Sequence, residues 1–446
     1  MSDLLRLILV CVLMVILLRR QLNLGLVMAG AAILLALIYG LGPYALLSVA
    51  WRTLTASDSI NLVLALIFIA FLEHAMRHAG MMERMVGALR DLIHDPRIIM
   101  AALPAFLGFL PSAGGARFSC PLVDQVTRDF EIPPERKAFI NYWYRHLWEC
   151  VMPIYPSLIV TTQVLGLNMD RLLVATVPMT PIIILAGLIP AFKGISGQQN
   201  SIQNMVHHQG QDSQDQDPRD QDPRDGRGEV GDVSSVLPKT MPVSANRSKD
   251  ILDAAYSLSP VIGILLGVMV LKLSVALAVA IVLIIMIIWG RYTVTDVTKL
   301  LKEGFSLNIV LLVYGVMFFR DVMVRSGALE RISPALTATG IPPLVILFAL
   351  PFLVGFSTGL AVSVPGVAFP LIAGIIGIGG NANLALATFA FVSGYVGTML
   401  SPAHLCLVLS IDYFKARFSK VQNMLWCPAG IVQAGVLLLT MFRLRF

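Results

Sequence analysis

Two apolar stretches that are interrupted by helix-breaking residues constrain the fold of this chain more than any other feature. Residues 104–121 read PAFLGFLPSAGGARFSCP, and residues 351–370 read PFLVGFSTGLAVSVPGVAFP. Non-helical backbone is tolerated at membrane depth only where protein buries it or where it lines a water-filled cavity. Each stretch is therefore predicted to form a re-entrant hairpin, at about 98–126 and about 344–378.

The composition places the rest of the chain in a lipid bilayer. Of the 446 residues, 57% are hydrophobic and only 13% are charged, and a soluble protein could not bury so much apolar surface. The apolar runs predict an all-α polytopic membrane protein with two five-helix halves, 1–193 and 251–446. Each half is expected to contain one re-entrant hairpin and one helix broken at a proline.

The segment between the halves, 194–250, has a different composition. It contains the repetitive sequence QDSQDQDPRDQDPRDGRG, which is polar and includes prolines. Such a sequence cannot bury enough apolar area to fold. The segment is predicted to be a disordered polar linker on the cytoplasmic side, where most of the Lys- and Arg-rich loops are also expected.

The second half repeats the pattern of the first. Nearly constant shifts align residues of uncommon types: Asn61 with Asn308, Gly80 with Gly327, Glu83 with Glu330, Pro104 with Pro351, and Pro153 with Pro402. An odd number of crossings makes the two halves enter the membrane from opposite sides, which predicts an inverted repeat. Interrupted segments at matching positions of such repeats indicate the binding site of a transporter.

The tips of the two hairpins carry the candidate substrate-binding residues. They are Ser112, Gly114 and Gly115 in the first hairpin, and Ser357, Thr358 and Gly359 in the second. Hydroxyl groups, open backbone N–H groups and the positive ends of half-helices would bind an anion. The alternative is that these small residues only allow helices to pack closely, as is common in membranes.

Arg117 follows the first tip and is a further candidate for substrate binding. An arginine inside a membrane is costly and is usually paired or directed at a ligand. Its planar guanidinium would bind a carboxylate or a phosphate through two parallel hydrogen bonds. The alternative is that the side chain extends to the cytoplasmic surface.

The helix breaks carry the candidates for coupling and gating. Arg145 and Glu149 are predicted to lie one turn apart on one helix face, just before a break at Pro153. They form a gate or a proton carrier, or else a structural ion pair. At the second break, Ser401 and the freed carbonyls would hold a cation, and His404 would titrate near neutral pH. The alternative is a helix turn whose polar groups are all hydrogen-bonded.

His146 is less favoured as a functional residue, because it could cap an interface.

The sequence contains no HExxH, GxSxG or Walker motif, so we expect neither an enzyme nor an ATP-driven pump. The five cysteines are scattered without a CxxC pair, and we expect no metal site and no cofactor beyond a coupling Na⁺ or H⁺. No basic stripe alternates with aromatic residues, so no nucleic-acid partner is expected. The expected partners are the bilayer and a small-molecule or ion substrate, and a homodimer is left open.

The halves, hairpins and broken helices resemble the ion-transporter superfamily, whose members include carriers of gluconate, citrate, dicarboxylates and sodium. More narrowly, the sequences LPSAGGARFSCPLV, NYWYRHLWECVMPIYPS and SPAHLCLVLS resemble an uncharacterised family of prokaryotic integral membrane proteins of unknown function. This resemblance covers nearly the whole chain outside 194–250 and implies a multi-pass protein of the prokaryotic inner membrane. The Ser-Asn-Thr hairpin signature of dicarboxylate carriers is replaced here by Pro-Ser-Ala-Gly-Gly and Ser-Thr-Gly.

These observations predict a secondary active transporter, a permease for a small anionic solute coupled to H⁺ or Na⁺. One alternative is a Na⁺/H⁺ antiporter in which Glu149 and His404 are the coupling groups. Two cations near the predicted site, Arg117 and Arg145, favour the anionic substrate over the antiporter. An alternative of another class is a membrane scaffold or subunit that transports nothing.

Overall fold

A computed structural model of the chain is all-helical in the residues that it describes. Those residues are 3–20, 22–93, 95–109, 115–127, 130, 132–193, 247–328, 330–331, 335, 338 and 340–445. Among them there is no strand, and six helices are long and apolar enough to cross a membrane. These six spans are Ser57–His78, Met169–Phe192, Ser248–Met269, Leu307–Arg325, Leu384–Phe414 and Phe418–Arg445. Met169–Phe192 and Leu384–Phe414 each combine two consecutive helices. The prediction of an all-helical membrane protein is therefore confirmed.

The first half begins with apolar helices and ends with helices that are interrupted. In chain order they are α1 (Asp3–Arg19), α2 (Leu24–Ile38), α3 (Pro43–Thr55), α4 (Ser57–His78), α5 (Met81–Leu92), α6 (Pro96–Leu107), α7 (Ala116–Val126), α8 (Pro134–Arg145), α9 (Pro156–Leu165), α10 (Met169–Thr176) and α11 (Met179–Phe192). The arms of the first predicted hairpin are α6 and α7. Its tip, residues 110–114, lies outside the described residues.

The second half presents a similar series. Its helices are α12 (Arg247–Met269), α13 (Val275–Trp289), α14 (Val294–Gly304), α15 (Leu307–Arg325), α16 (Pro343–Thr358), α17 (Phe369–Ile376), α18 (Leu384–Leu400), α19 (Leu405–Phe414) and α20 (Phe418–Arg445). A π-helical turn, Val364–Ala368, precedes α17, and a short 3₁₀ turn, Gly379–Asn381, follows it. Helix α12 starts before the predicted boundary at 251, and residues 194–246 of the predicted linker lie outside the described residues.

Helices of one half pack on helices of the other in a reciprocal way. Helix α2 packs on α15 while α13 packs on α4, and α3 packs on α15 while α14 packs on α4. The α2–α15 contact is close enough to require glycine on both helices. A Cβ on Gly25 would lie 2.0 Å from the carbonyl oxygen of Leu311, and a Cβ on Gly315 would lie 2.1 Å from the carbonyl oxygen of Gly25.

Two short helices, α3 and α14, do not appear in the prediction because they are not continuous apolar runs. Their start signals are nevertheless present: Pro43 is the first residue of α3, and the Thr293 hydroxyl caps α14 in a box with Asp296. A hydrogen bond from the Thr293 hydroxyl lowers the pKa of the Asp296 carboxyl, which lies outside the membrane-crossing helices.

Both predicted broken helices are interrupted, but the first break, which contains Pro153, begins earlier than predicted. Helix α8 ends at Arg145, and helix resumes only at Pro156. The expectation that Arg145 and Glu149 share one helix face is therefore wrong, because Glu149 lies in the break itself. In the second half, α18 ends at Leu400 and α19 starts at Leu405, so the break lies at Ser401 and Pro402 as predicted.

Candidate functional site

The two helix breaks meet in the buried core of the molecule through a pair of histidines. His146 is the first residue after α8, and His404 is the last residue before α19. Their Nε2 atoms are 3.1 Å apart, which is hydrogen-bonding distance. Only 4% of His146 and 7% of His404 are exposed. The pair therefore joins the two halves where neither backbone is helical.

Hydrogen bonds across the breaks fix the orientation of this pair. Nδ1 of His146 lies 2.6 Å from the carbonyl oxygen of Tyr142, and it must donate because a carbonyl only accepts. In the neutral ring Nε2 is then the acceptor, so Nε2 of His404 donates to it. The Tyr142 hydroxyl donates to the carbonyl of Met399 at 3.0 Å, and that of Tyr395 donates to the carbonyl of His146 at 3.3 Å.

Further polar groups surround the histidines. Oε1 of Glu149 lies 3.9 Å from Nε2 of His146, while Oε2 is buried without a hydrogen-bond partner in the described structure. Cys406 lies in the first turn of α19, and the possible ligand atoms of His146, His404 and Cys406 all lie within 4.8 Å of one another. The Arg145 side chain reaches the same thiol. Groups that carry charge or protons thus converge from both halves.

The arms of the first hairpin pack directly on the first break. A Cβ on Gly108, at the end of α6, would lie 2.1 Å from the carbonyl oxygen of Arg145. The Tyr155 hydroxyl donates to the carbonyl of Gly108, and the indole N–H of Trp148 donates to that of Ala105 at 2.7 Å. The start of α7 approaches the second half, because the backbone of Ala116 contacts the Cys406 thiol.

The tip of the second hairpin packs on the second break. Gly359 ends α16 with φ of +64°, in the left-handed region that favours glycine. A Cβ at this position would lie 2.7 Å from the backbone nitrogen of His404 and 2.8 Å from the carbonyl carbon of Ala403. This tip therefore lies against the buried histidine pair.

The predicted substrate-binding residues of the first hairpin are only partly described. Ser112 and Gly114 lie outside the described residues, as does the side chain of Arg117, whose backbone is in the first turn of α7. Gly115 is buried and precedes α7, and its carbonyl accepts the backbone N–H of Ser119 at 3.3 Å.

The predicted residues of the second half lie at or next to the break. The Thr358 hydroxyl lies 2.6 Å from that of Ser363, within the tip. Ser357 is half-buried beside it. Ser401 is fully buried, and its hydroxyl accepts the backbone N–H of Ala403 at 3.2 Å. The structure thus brings Gly359, Ser401 and His404 together, and their roles in binding or coupling stay predictions.

Sequence reasoning missed His146 and Cys406 as members of this cluster. Sequence reasoning does not favour His146 as a functional residue, whereas the structure buries its ring against His404. A polar residue at the helix end before the break at Pro153 was the available signal for His146. The spacing of His404 and Cys406 at the start of a helix was the signal for the thiol.

A family model matches most of the chain, over residues 1–203 and 235–442. The unmatched residues between these ranges fall within the predicted linker 194–250, which fits an insertion between two membrane halves. The search of the curated proteins found no match. The matched family is described as a protein of unknown function, DUF401, and this chain belongs to it.

Proposed function

We propose that this protein is a secondary active transporter for a small anionic solute, coupled to H⁺ or Na⁺, with its site where the two helix breaks meet. The observation that supports this most strongly is the buried contact between His146 and His404, from the breaks of opposite halves. Discontinuous helices at the interface of two repeats form the substrate and ion sites of many transporters.

The arrangement of the halves supports an inverted repeat. Helices α2 and α13 occupy equivalent positions in the two series, and so do α4 and α15. Helix α2 packs on α15, and its counterpart α13 packs on α4, which is the counterpart of α15. An exchange of this kind is what a two-fold relation between the halves would produce. With an odd number of crossings per half, the axis would lie in the membrane plane, as in transporters that alternate between faces.

The helix ends at the breaks suit an anionic substrate. Helices α7, α9 and α19 all start at or beside the breaks, and helix N-termini carry partial positive charge. Arg145 adds a full positive charge at the end of α8, where only 4% of the residue is exposed. The anion would be held between these groups and the hairpin tips.

The same cluster contains groups that can carry a proton. One carboxylate oxygen of Glu149 is buried without a partner among the described residues, and the other faces His146 at 3.9 Å. An imidazole ring can accept a proton at one nitrogen and donate one from the other, so Glu149, His146 and His404 would form a proton path across both breaks. We infer that proton movement along this path couples to movement of the solute.

The transport proposal is tested with purified protein in liposomes under an imposed pH or Na⁺ gradient. Currents are recorded while organic and inorganic anions are added in turn. We expect at least one anion to produce a gradient-dependent current, and Glu149→Gln to reduce it by at least tenfold. Glu73→Gln is the matched control, because the Glu73 carboxylate is paired with Arg77 at 2.8 Å outside the site. Equal currents for both variants would overturn the assignment of Glu149.

The Na⁺/H⁺ antiporter remains the second candidate because a buried carboxylate with an unpaired oxygen is the group that such exchange requires. The two functions are distinguished in the same liposomes. An antiporter dissipates the pH gradient on addition of Na⁺ alone, whereas the proposed carrier requires the anion. A protein that responds to neither Na⁺ nor any anion would support the scaffold alternative instead.

A further inference from the structure

Three side chains with metal-binding atoms meet at the contact between the halves. The possible ligand atoms of His146, His404 and Cys406 all lie within 4.8 Å of one another, and each residue is at least nine-tenths buried. Imidazole nitrogen and thiolate sulfur are the ligands that Zn²⁺ and related transition metals prefer. One donor comes from the first half of the chain and two come from the second.

The spacing of the donors is close to that of a four-coordinate site. Two Zn–N bonds of about 2.0–2.1 Å at a tetrahedral angle place the nitrogens about 3.3 Å apart, and the two Nε2 atoms are 3.1 Å apart. The Cys406 sulfur lies within 4.8 Å of the two nitrogens. It would move about 1 Å toward them to reach the usual Zn–S length from an ion bound to both nitrogens. The site would therefore form with small side-chain movements.

His146 also has the second hydrogen bond that metal-binding histidines usually make. Its Nδ1 donates to the carbonyl of Tyr142 at 2.6 Å, which leaves the lone pair of Nε2 directed at His404. A backbone carbonyl on the other ring nitrogen is a common way to fix the tautomer of a histidine ligand.

Glu149 offers a fourth possible donor next to His146. Oε2 of Glu149 is buried and has no partner among the described residues, and Oε1 is 3.9 Å from Nε2 of His146. A thiolate and a carboxylate would together balance the charge of a divalent ion, and the Arg145 guanidinium at the same thiol leaves one net positive charge on the assembly. Paired charges of this kind cost far less to bury than an isolated charge.

We propose that His146, His404, Cys406 and Glu149 bind one transition metal ion of the zinc class between the two helix breaks. Binding releases the thiol proton to solvent, moves the ring proton of His404 from Nε2 to Nδ1, and forms the metal–sulfur and metal–nitrogen bonds. Because the ligands come from both halves, the ion would hold the breaks together in the arrangement seen here. This inference does not depend on the transport function, since binding is measured directly.

The test uses the full, untagged protein in detergent, stripped with a chelator and titrated with Co²⁺. We expect about one Co²⁺ per chain, a thiolate-to-cobalt absorption band in the near ultraviolet, and displacement of the band by Zn²⁺. Zn²⁺ should also raise the melting temperature, because an ion that binds only the folded state stabilises it.

Cys406→Ser removes only the sulfur and should abolish the band and the shift in melting temperature. Cys150→Ser is the matched control, because Cys150 is also buried but is not one of the three grouped donors. His404→Gln should weaken Co²⁺ binding at least tenfold. The absence of a thiolate band in the native protein, or its persistence in Cys406→Ser, would overturn the proposal.

Discussion

Gly359 holds the second hairpin against the second helix break, and a methyl group at this position has no space. Gly359→Ala combines the strain of left-handed backbone, about 1–2 kcal/mol, with a clash against the backbone of Ala403 and His404. Overpacking of this kind costs about 1–3 kcal/mol more. We expect a clearly lower melting temperature and loss of transport.

Gly379→Ala is the control for this prediction. Gly379 also has a positive φ, +62°, but a Cβ there would meet nothing within 4 Å. The Gly379→Ala variant should therefore lose only as much stability as the backbone strain costs. If both variants melt at the same temperature and transport equally, the close contact between the hairpin tip and the break is not required.

Tyr142 and Tyr144 provide a matched pair of phenylalanine substitutions. The Tyr142 hydroxyl donates to the carbonyl of Met399 across the halves, while the buried Tyr144 hydroxyl has no partner among the described residues. Tyr142→Phe leaves a buried carbonyl without its donor and should cost about 1–3 kcal/mol. Tyr144→Phe should be neutral or stabilising, and thermal unfolding of the two variants measures the difference. The reverse order would contradict the hydrogen bonding described for this site.

The residues of the site that could be predicted are those next to a visible break. Ser401, His404 and Gly359 stand beside a proline or within a glycine-containing tip, and the sequence marks them directly. His146 and Cys406 join the cluster only because His146 contacts His404, which is 258 positions away in the sequence. No local pattern shows such a contact. The expected absence of a metal site rested on cysteine spacing, which cannot detect donors from distant segments.

At the scale of elements, the contact between α2 and α15 depends on two glycines that allow backbone to approach backbone. Gly25→Ala would place its Cβ 2.0 Å from the carbonyl oxygen of Leu311, so the helices must separate. We expect a loss of about 1–3 kcal/mol or more. Gly30→Ala is the control on the same helix, because a Cβ there would meet nothing within 4 Å, and alanine favours helix by up to about 1 kcal/mol. Melting temperatures that fall equally for both variants would show that the close approach is not needed.

The long apolar helices were predictable from continuous hydrophobic sequence, and the second break was predictable from its proline. The first break was placed too late, at Pro153, because α8 ends at Arg145, eight residues before that proline, without a glycine or proline of its own. Helices α3 and α14 were missed for a different reason. They mix polar and apolar residues, so a search for continuous apolar runs does not detect them.

At the scale of the whole molecule, the sequence predicts a repeat, and the structure shows reciprocal packing between the halves: α2 packs on α15, and α13 packs on α4. The two breaks meet through His146 and His404, and no local signal in the sequence shows this contact. In the proposed inverted arrangement, the interrupted crossings are expected to open the same buried site to one face and then to the other. A scaffold would keep that site closed.

Accessibility of the Cys406 thiol from each membrane face tests this expectation most directly, without knowledge of the substrate. Cys406 is 8% exposed in the structure, and the measurement uses a chain in which the other four cysteines are replaced by serine. A small, membrane-impermeant thiol reagent is applied to metal-free proteoliposomes from outside or from within, and a denatured sample gives the total thiol. We predict labelling from both faces, through alternate opening of the site. Labelling from neither face, or from only one, would contradict alternating access at the two helix breaks.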